Sequence, residues 1–360
     1  MAPVVEAMRR FERELAVVVC ATAQHREMLD QLRGLFGLEP DLDLGWMRPD
    51  QSLNDLSSRA FASLDRVVEE QAPDWILVQG DTTTAMVAAM VAFHRRVRVG
   101  HVEAGLRTGD LARPFPEEAN RRIIDLVADA LFAPTERARR ALRAEAVAAE
   151  RIFLTGNTGV DALLQVSRKL GEVPAADQVL VTAHRRESFG QPLREIFGAL
   201  RELAEAFPAT RWIYPVHPNP HVTAPAREIL VGLPNVALHP PLDYSELVRQ
   251  LRASRLVLTD SGGLQEEAPT FGKPVLVLRD TTERPEGVEA GVARLVGTER
   301  RRIVAETRRL LTDASAYQRM AHAVNPYGDG RAAERIAAIL CGRQAEEFGG
   351  SQAASPPRRK

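Results

Sequence analysis

Two short stretches of this chain carry the residue types of phosphate binding and of acid/base chemistry. In Asp260-Ser261-Gly262-Gly263-Leu264-Gln265-Glu266-Glu267, an apolar run (Leu256, Val257, Leu258) enters Ser-Gly-Gly and then a helical pattern. A strand that turns over glycine into a helix aims unpaired backbone N–H groups and the positive end of the helix dipole at an anion. In the stretch His101 to Asp110, the carboxylate of Glu103, the glycines Gly105 and Gly109 and the guanidinium of Arg107 follow another strand of buried type. Ligands of open α/β sheets bind at that end of the strands. The two stretches point to a phosphorylated ligand gripped by one and acid/base carboxylates supplied by the other.

Positioning such loops requires strands that alternate with helices. Short apolar runs read as strands at Leu15–Cys20, Trp75–Val78, Val97–Val102, Leu131–Ala133, Ile152–Thr155, Val179–Thr182, Trp212–Val216, Val236–Leu238, Leu256–Thr259 and Val275–Leu278. Helical patterns fill most of the gaps, among them Arg26–Phe36, Glu118–Ala130, Leu193–Phe207, Tyr244–Arg252 and Arg301–Leu311. Alternation of this length implies parallel sheets covered on both faces, so the expected class is α/β with two Rossmann-like, doubly wound domains. The polar segment Gly171–Gln178, with Pro174, reads as the linker. It separates a first domain over 1–170 from a second over 171–329. A last helical pattern, Gly330–Leu340 and running to about 343, is able to return to the first domain. Residues 344–360, rich in Gly, Ser, Ala, Pro and Arg towards their end, are expected to be a disordered tail. The chain opens on a helix-like stretch, Met1–Phe11, with no strand ahead of it. The first strand of a doubly wound sheet usually lies centrally, so the reading is that an N-terminal strand and its loop are missing.

Composition excludes several classes. With 360 residues there is length for two cores, and a formal net charge of −1 gives no reason to expect nucleic acid or an anionic membrane. Cys20 and Cys341 do not make a disulfide framework. No apolar run is long enough to span a bilayer and no signal-peptide layout opens the chain. The expectation is a cytoplasmic, reducing-compartment protein. The histidines do not cluster with Cys or Asp at metal spacing, so no metal is expected.

Taken singly, most candidate residues have plain readings. Asp81 follows Gly80 at a strand end, where Asp often caps the next helix. Glu117 and Glu118 open a helix after Pro116, and first-turn acids usually serve the dipole. His101 reads as a satisfied loop histidine. Glu103 follows a buried strand with no local cation, which makes a structural role harder to argue. Arg185 and Arg186 lie between a strand and a helix, where anion binding is the better reading.

As a set, the motifs closely resemble those of the non-hydrolysing UDP-N-acetylglucosamine 2-epimerases of bacteria. The resemblance runs from Met1 to about Arg343. It includes the segment Thr22 to Asp30, Gly80-Asp81-Thr82-Thr83-Thr84, His101 to Asp110, Pro116 to Arg121, His184 to Gly190, Pro215 to Asn219, Asp260 to Glu267 and Asp280 to Glu286, in that order. It implies a fold like the two-Rossmann glycosyltransferases, with a cleft between the domains. It also implies a homodimer and a reaction that inverts carbon 2 of the sugar without a redox cofactor. That reaction eliminates UDP to a glycal, then adds it back with carbon 2 reprotonated from the other side, and its product supplies surface polysaccharide synthesis.

Carried over residue by residue, the resemblance makes Asp81, Glu103 and Glu117 the acid/base carboxylates, with Arg121, one turn on, holding Glu117. His184 would contact substrate. Ser261, Gly262 and Gly263 would take the diphosphate, Glu267 the ribose hydroxyls, and Arg284 would add charge near the phosphates. Gln24, Arg59, Arg185, Glu187 and His217 match a second site at which UDP-N-acetylglucosamine activates some relatives. The family's opening strand and Gly-Thr-Arg-Pro-Glu loop have no counterpart here, so the chain starting at Met1 is expected to be unstable or inactive unless extended upstream. Leu242 and Leu247 stand where relatives often have Gln and Phe near the uracil. The other readings are an inactive or truncated nucleotide-sugar-binding protein, an epimerase of a modified UDP-sugar, a hydrolysing relative and a glycosyltransferase.

Overall fold

The computed structural model describes residues 1–22, 34–45 and 51–349. The chain divides into two compact units, Met1–Ala162 with Gly328–Lys360, and Leu163–Tyr327.

Unit 1 begins with α1 (Ala2–Arg9), β1 (Cys20–Ala21) and β2 (Leu42–Asp43); the two strands are a parallel pair that forms its own small sheet. The apolar run from Leu15 contributes only its end to that pair. The N–H of Val19 is taken by the Asp41 carboxylate at 2.7 Å, which stops the ladder there. The expected helix Arg26–Phe36 lies mostly outside the described residues. After α2 (Leu53–Gln71), capped by the Ser52 hydroxyl, come β3 (Trp75–Gln79), α3 (Thr83–His94), β4 (Arg98–Val102), α4 (Glu117–Val127), β5 (Ala130–Ala133), α5 (Glu136–Ala144) and β6 (Ile152–Leu154). The four strands β3-β4-β5-β6 form one parallel sheet in that order. β3 pairs with β4 alone among the described strands. Val4, Val5 and Met8 of α1 are buried in a cluster that takes in Val102, Phe132 and the partly buried Trp75 and Leu77.

Unit 2 takes up part of α6 (Thr158–Lys169) and continues with β7 (Gln178–Thr182), α7 (Gln191–Ala206), β8 (Arg211–Pro215), α8 (Pro220–Leu230), β9 (Val236–His239), α9 (Tyr244–Ala253) and β10 (Leu256–Thr259). It ends with α10 (Gly262–Glu267), β11 (Val275–Val277), α11 (Pro285–Glu289), β12 (Ala293–Leu295), α12 (Arg300–Thr312) and α13 (Ala314–Ala321). Its six strands are all parallel, in the order β12-β11-β10-β7-β8-β9. This is the doubly wound Rossmann order, with the switch of direction between β7 and β10. Every residue of β7 and β10 is buried, as expected for strands covered on both faces.

The division of the chain falls within α6, ahead of the expected linker at Gly171. Asp161, in the first half of this helix, accepts the N–H groups of Ala333 and Ala332 at 2.9 and 3.3 Å. Those residues open α14 (Ala332–Leu340), which thereby packs in unit 1. The start of the expected disordered tail is also tied down. The N–H of Phe348 donates to the Leu154 carbonyl at 2.9 Å, and Arg335 donates to the carbonyl of Glu346 at 2.8 Å.

Burial pushes the Asp161 carboxyl up to about 6, with the two backbone donors offsetting part of the effect and the nearby Asp329 charge adding to it. A carboxyl raised in the folded state stabilises the protein most below its unfolded value of 3.8, and that stability is lost as pH rises through about 6. Relative to D161N, which cannot titrate, the wild type should therefore lose on the order of 2–3 kcal/mol between about pH 4 and 7. Urea unfolding of both proteins at the two pH values checks this, and an unchanging difference between them would refute it.

Candidate active site

In unit 1 the candidate side chains stand where neighbouring parallel strands end. β3 runs into Gly80 and Asp81, and β4 into Glu103. Gly80 turns the chain at φ +70°, and its N–H donates to the Val102 carbonyl at 3.0 Å. Glu103 itself sits at φ +68°, in the left-handed region that residues with a side chain seldom adopt. Such backbone persists where surrounding contacts over-determine it, and it is common at functional sites. Here the Gln79 amide donates to the Glu103 carboxylate at 3.2 Å, and the N–H of Ala104 donates to the Phe132 carbonyl. Gly105, at φ +84°, comes next. A Cβ there would lie 2.4 Å from the Ala138 carbonyl oxygen, so this close approach of loop to α5 admits only glycine.

α4 brings the third carboxylate, Glu117, at its first residue. Two further residues of this helix hold the Asp81 loop. Arg121 donates to the Asp81 carboxylate at 2.6 Å, and the Asn120 amide donates to the Asp81 carbonyl at 2.9 Å. The expected pairing of Arg121 with Glu117 is not what forms. Arg121 is buried on the inner face of α4, where Asp81 and the fully buried Glu118, at 3.4 Å, are its carboxylate partners. Glu118 also accepts the N–H groups of Thr108 and Gly109, at 3.0 and 3.2 Å. Burial opposes its charge, but these donors and the Arg121 guanidinium bring its carboxyl below the usual range.

His101 proves to be a strand residue rather than a loop one, and it is wholly buried. Asn120, Glu118 and Asp125 had no sequence signal beyond their helix, because their partners lie elsewhere in the chain.

In unit 2 the loops after β7 and β10 meet at the switch point. Asp260, fully buried, accepts the N–H of His184 and that of Arg185, the latter at 2.7 Å. Its other oxygen lies 3.4 Å from His184 Nδ1, out of hydrogen-bond geometry. The His184 ring stacks on His217 with 5.5 Å between centroids and 8° between planes. Ser261, the N-cap of α10, makes no side-chain cap bond, and its N–H donates to the Thr259 hydroxyl at 2.9 Å. At the far end of α10, Glu267 accepts the Tyr244 hydroxyl at 3.0 Å. Burial, and to a lesser degree the Glu266 charge, push its carboxyl up to about 7 against the opposing Tyr244 bond. Arg284 pairs with Glu266.

Of the residues matched to an activating site, unit 2 brings three into one neighbourhood. Arg185 pairs with Glu283 at 3.1 Å, Arg279 bridges Glu283 and Glu187, and His217 is the ring under His184. Arg59, in unit 1, donates to Gln51 and to the Asp55 carbonyl. Gln24 lies outside the described residues.

The family model for UDP-N-acetylglucosamine 2-epimerase matches residues 7–341. The chain belongs to that family. It is 49% identical to a UDP-N-acetylglucosamine 2-epimerase of Yersinia pestis, the alignment covering 96% of this chain and 95% of that one. It is 50% identical to the enzyme of that name from Escherichia coli strain K12, with 94% of each chain covered. A crystal structure of UDP-GlcNAc 2-epimerase from Neisseria meningitidis bound to UDP-GlcNAc is similar at a TM-score of 0.85 and 41% identity, covering 95% of this chain and 96% of that one. The α/β architecture of two Rossmann-like units with parallel sheets is that of the family. Among the described residues no helix is long and apolar enough to cross a membrane.

Proposed function

We propose that this chain epimerises UDP-N-acetylglucosamine at carbon 2, giving UDP-N-acetylmannosamine. The observation that carries the reading is the placement of Asp81 and Glu103 at the ends of adjacent parallel strands, with Arg121 on Asp81, in a chain of this family. A carboxylate takes the proton from carbon 2 while the bond from carbon 1 to the phosphate oxygen breaks, its electron pair leaving with UDP. A carboxylic acid on the other face then returns a proton to carbon 2 as UDP adds back. Asp81, Glu103 and Glu117 are the candidates for these roles. Carbon 2 is a weak acid, so the leaving group must be stabilised as well as the proton taken. That task falls to Ser261, Gly262 and Gly263 at the diphosphate, with Arg284 near the phosphates, His184 on the substrate and Glu267 on the ribose hydroxyls.

Proton NMR of UDP-N-acetylglucosamine with the protein in heavy water tests the reading. The manno-configured anomeric signal should appear with deuterium at carbon 2, and E103Q should slow both by about 10²–10⁴-fold. Release of free N-acetylmannosamine would indicate a hydrolase instead, and absence of exchange a binding protein. The same assay examines activation by substrate at the second site, for which Arg185, Glu187 and His217 are the candidates in unit 2. A hyperbolic rate curve with UDP-N-acetylmannosamine alone, unaffected by added UDP-N-acetylglucosamine, would count against it.

Ribose hydroxyls donate best to an ionised carboxylate, so binding of UDP should expel the proton that Glu267 holds at and below about pH 7. UDP affinity should rise between about pH 6 and 8 more steeply than in E267Q, which reports the ionisation of UDP alone. Calorimetry in buffers of different ionisation enthalpy measures the released proton. Equal pH dependence in the two proteins would dismiss the role.

We also place the protein in the cytoplasm as a homodimer. The free thiols Cys20 and Cys341 suit a reducing compartment. Ile123 and Leu126 share a face of α4 by their spacing and are exposed, Leu126 to 77%. A second copy covering that face would be weakened by Leu126→Asp, with the mass from light scattering falling to one chain. An unaltered dimer in that variant would rule out this face.

A further inference from the structure

Among the described residues of unit 1, His101 is the one fully buried histidine, and neither of its ring nitrogens is free. Nδ1 lies 2.5 Å from Asp125 Oδ1 and Nε2 lies 2.9 Å from the Gly80 carbonyl oxygen. A carbonyl oxygen can only accept, so Nε2 carries a hydrogen. Asp125 receives two further donors on its other oxygen, the N–H of Gly105 at 3.2 Å and Arg107 Nη2 at 2.8 Å. These donors and the Arg107 charge favour the accept-only, ionised form of Asp125, and Nδ1 then carries a hydrogen too. Burial works against the Asp125 charge, but the His101 bond and charge, with Arg107, hold its carboxyl below the usual range. Arg107 is itself balanced by Glu145 at 2.7 Å. The four side chains alternate in sign from the buried His101 out to the exposed Glu145, so the group as a whole adds no net charge.

One partner of this ring lies in the loop after β3, and the other, Asp125 of α4, holds the loop after β4 through Gly105. Gly80 is the residue before Asp81. Gly105 is two residues after Glu103, and His101 is two residues before it. We propose that His101 is a positioning residue, a doubly protonated imidazole that fixes Asp81 relative to Glu103 by holding the Gly80 carbonyl on one side and Asp125 on the other. The proposal rests on the reading of Asp81 and Glu103 as acid/base groups. It assigns His101 no contact with substrate. Its effect is on geometry, because an ångström of misplacement at reacting groups can cost about 10²-fold in rate.

Two measurements test it. In the wild-type protein labelled with nitrogen-15 histidine, both ring nitrogens of His101 should bear protons, the signals being assigned by their loss in His101→Gln. The same variant, which retains one N–H donor, should lose about 10²-fold in kcat while KM for the UDP-sugar stays within about threefold, since the uniform binding supplied by unit 2 is untouched. A bare ring nitrogen in the wild type overturns the proposal whether or not the variant folds. So does an H101Q protein with wild-type kcat. A wild type that exchanges no deuterium into carbon 2 removes the epimerase reading and this proposal with it. An active wild type beside an equally active variant removes only this proposal.

Discussion

The loops that carry the candidate side chains are held by carboxylates buried beneath them. Asp125 accepts from Gly105, Glu118 from Thr108 and Gly109, and Asp260 from His184 and Arg185; Asp161 does the same for Ala332 and Ala333 at the start of α14. These side-chain to main-chain bonds solve one problem. A loop that leaves a parallel sheet to approach a ligand cannot satisfy its own N–H groups by a ladder, and a buried unpaired N–H is costly. A carboxylate accepts several such bonds at once, but stranding its charge in the core costs several kcal/mol unless the donors are in place. Loop and anchor therefore stabilise each other, and neither conformation holds without the other.

The same exchange sets the character of the two units. In unit 1 the anchors leave Asp81, Glu103 and Glu117 at the rim, presented from two strand ends and a helix start. Preorganised groups of this kind need no reorganisation when a proton moves. In unit 2 the cations near Ser261 are already engaged: Arg284 with Glu266, Arg185 with Glu283, and Arg279 with Glu283 and Glu187. A diphosphate entering there, as proposed, would gain by exchange of partners, not by meeting bare charge. Its affinity would be reduced by the bonds it displaces, while the paired arginines keep the loops in register beforehand.

Where an element is local, its residues announce it. The continuous apolar runs of β5, β7 and β10 are visible along the chain because each depends on neighbours in sequence. The short β1 is not, because the Asp41 side chain, 22 positions away, takes the N–H that a longer ladder would need. The same limit applies to the site. Spacing along α4 suggested Arg121 with Glu117, a pair any helix would allow, whereas the fold offers Arg121 a carboxylate 40 positions away on Asp81. His101 and Asp125 are 24 apart, and their meeting depends on α4 packing over the end of β4. Motif order in the chain pointed to the residues at the rim. It carried no information on the buried ones that hold them.

Inversion at carbon 2 demands that a proton leave one face of the sugar and arrive at the other. One carboxylate on one element cannot serve both faces of a carbon held in place, so at least two must come from separate elements. As candidates the fold offers Asp81 after β3, Glu103 after β4 and Glu117 from α4, and it surrounds them unequally. Asp81 bears the Arg121 guanidinium and Glu103 a neutral amide, while Glu117 stands at the open start of its helix. Acid and base are told apart by surroundings that treat like groups differently. The asymmetry is built by Arg121 and Gln79, which need not touch the sugar to determine how the carboxylates beside them behave.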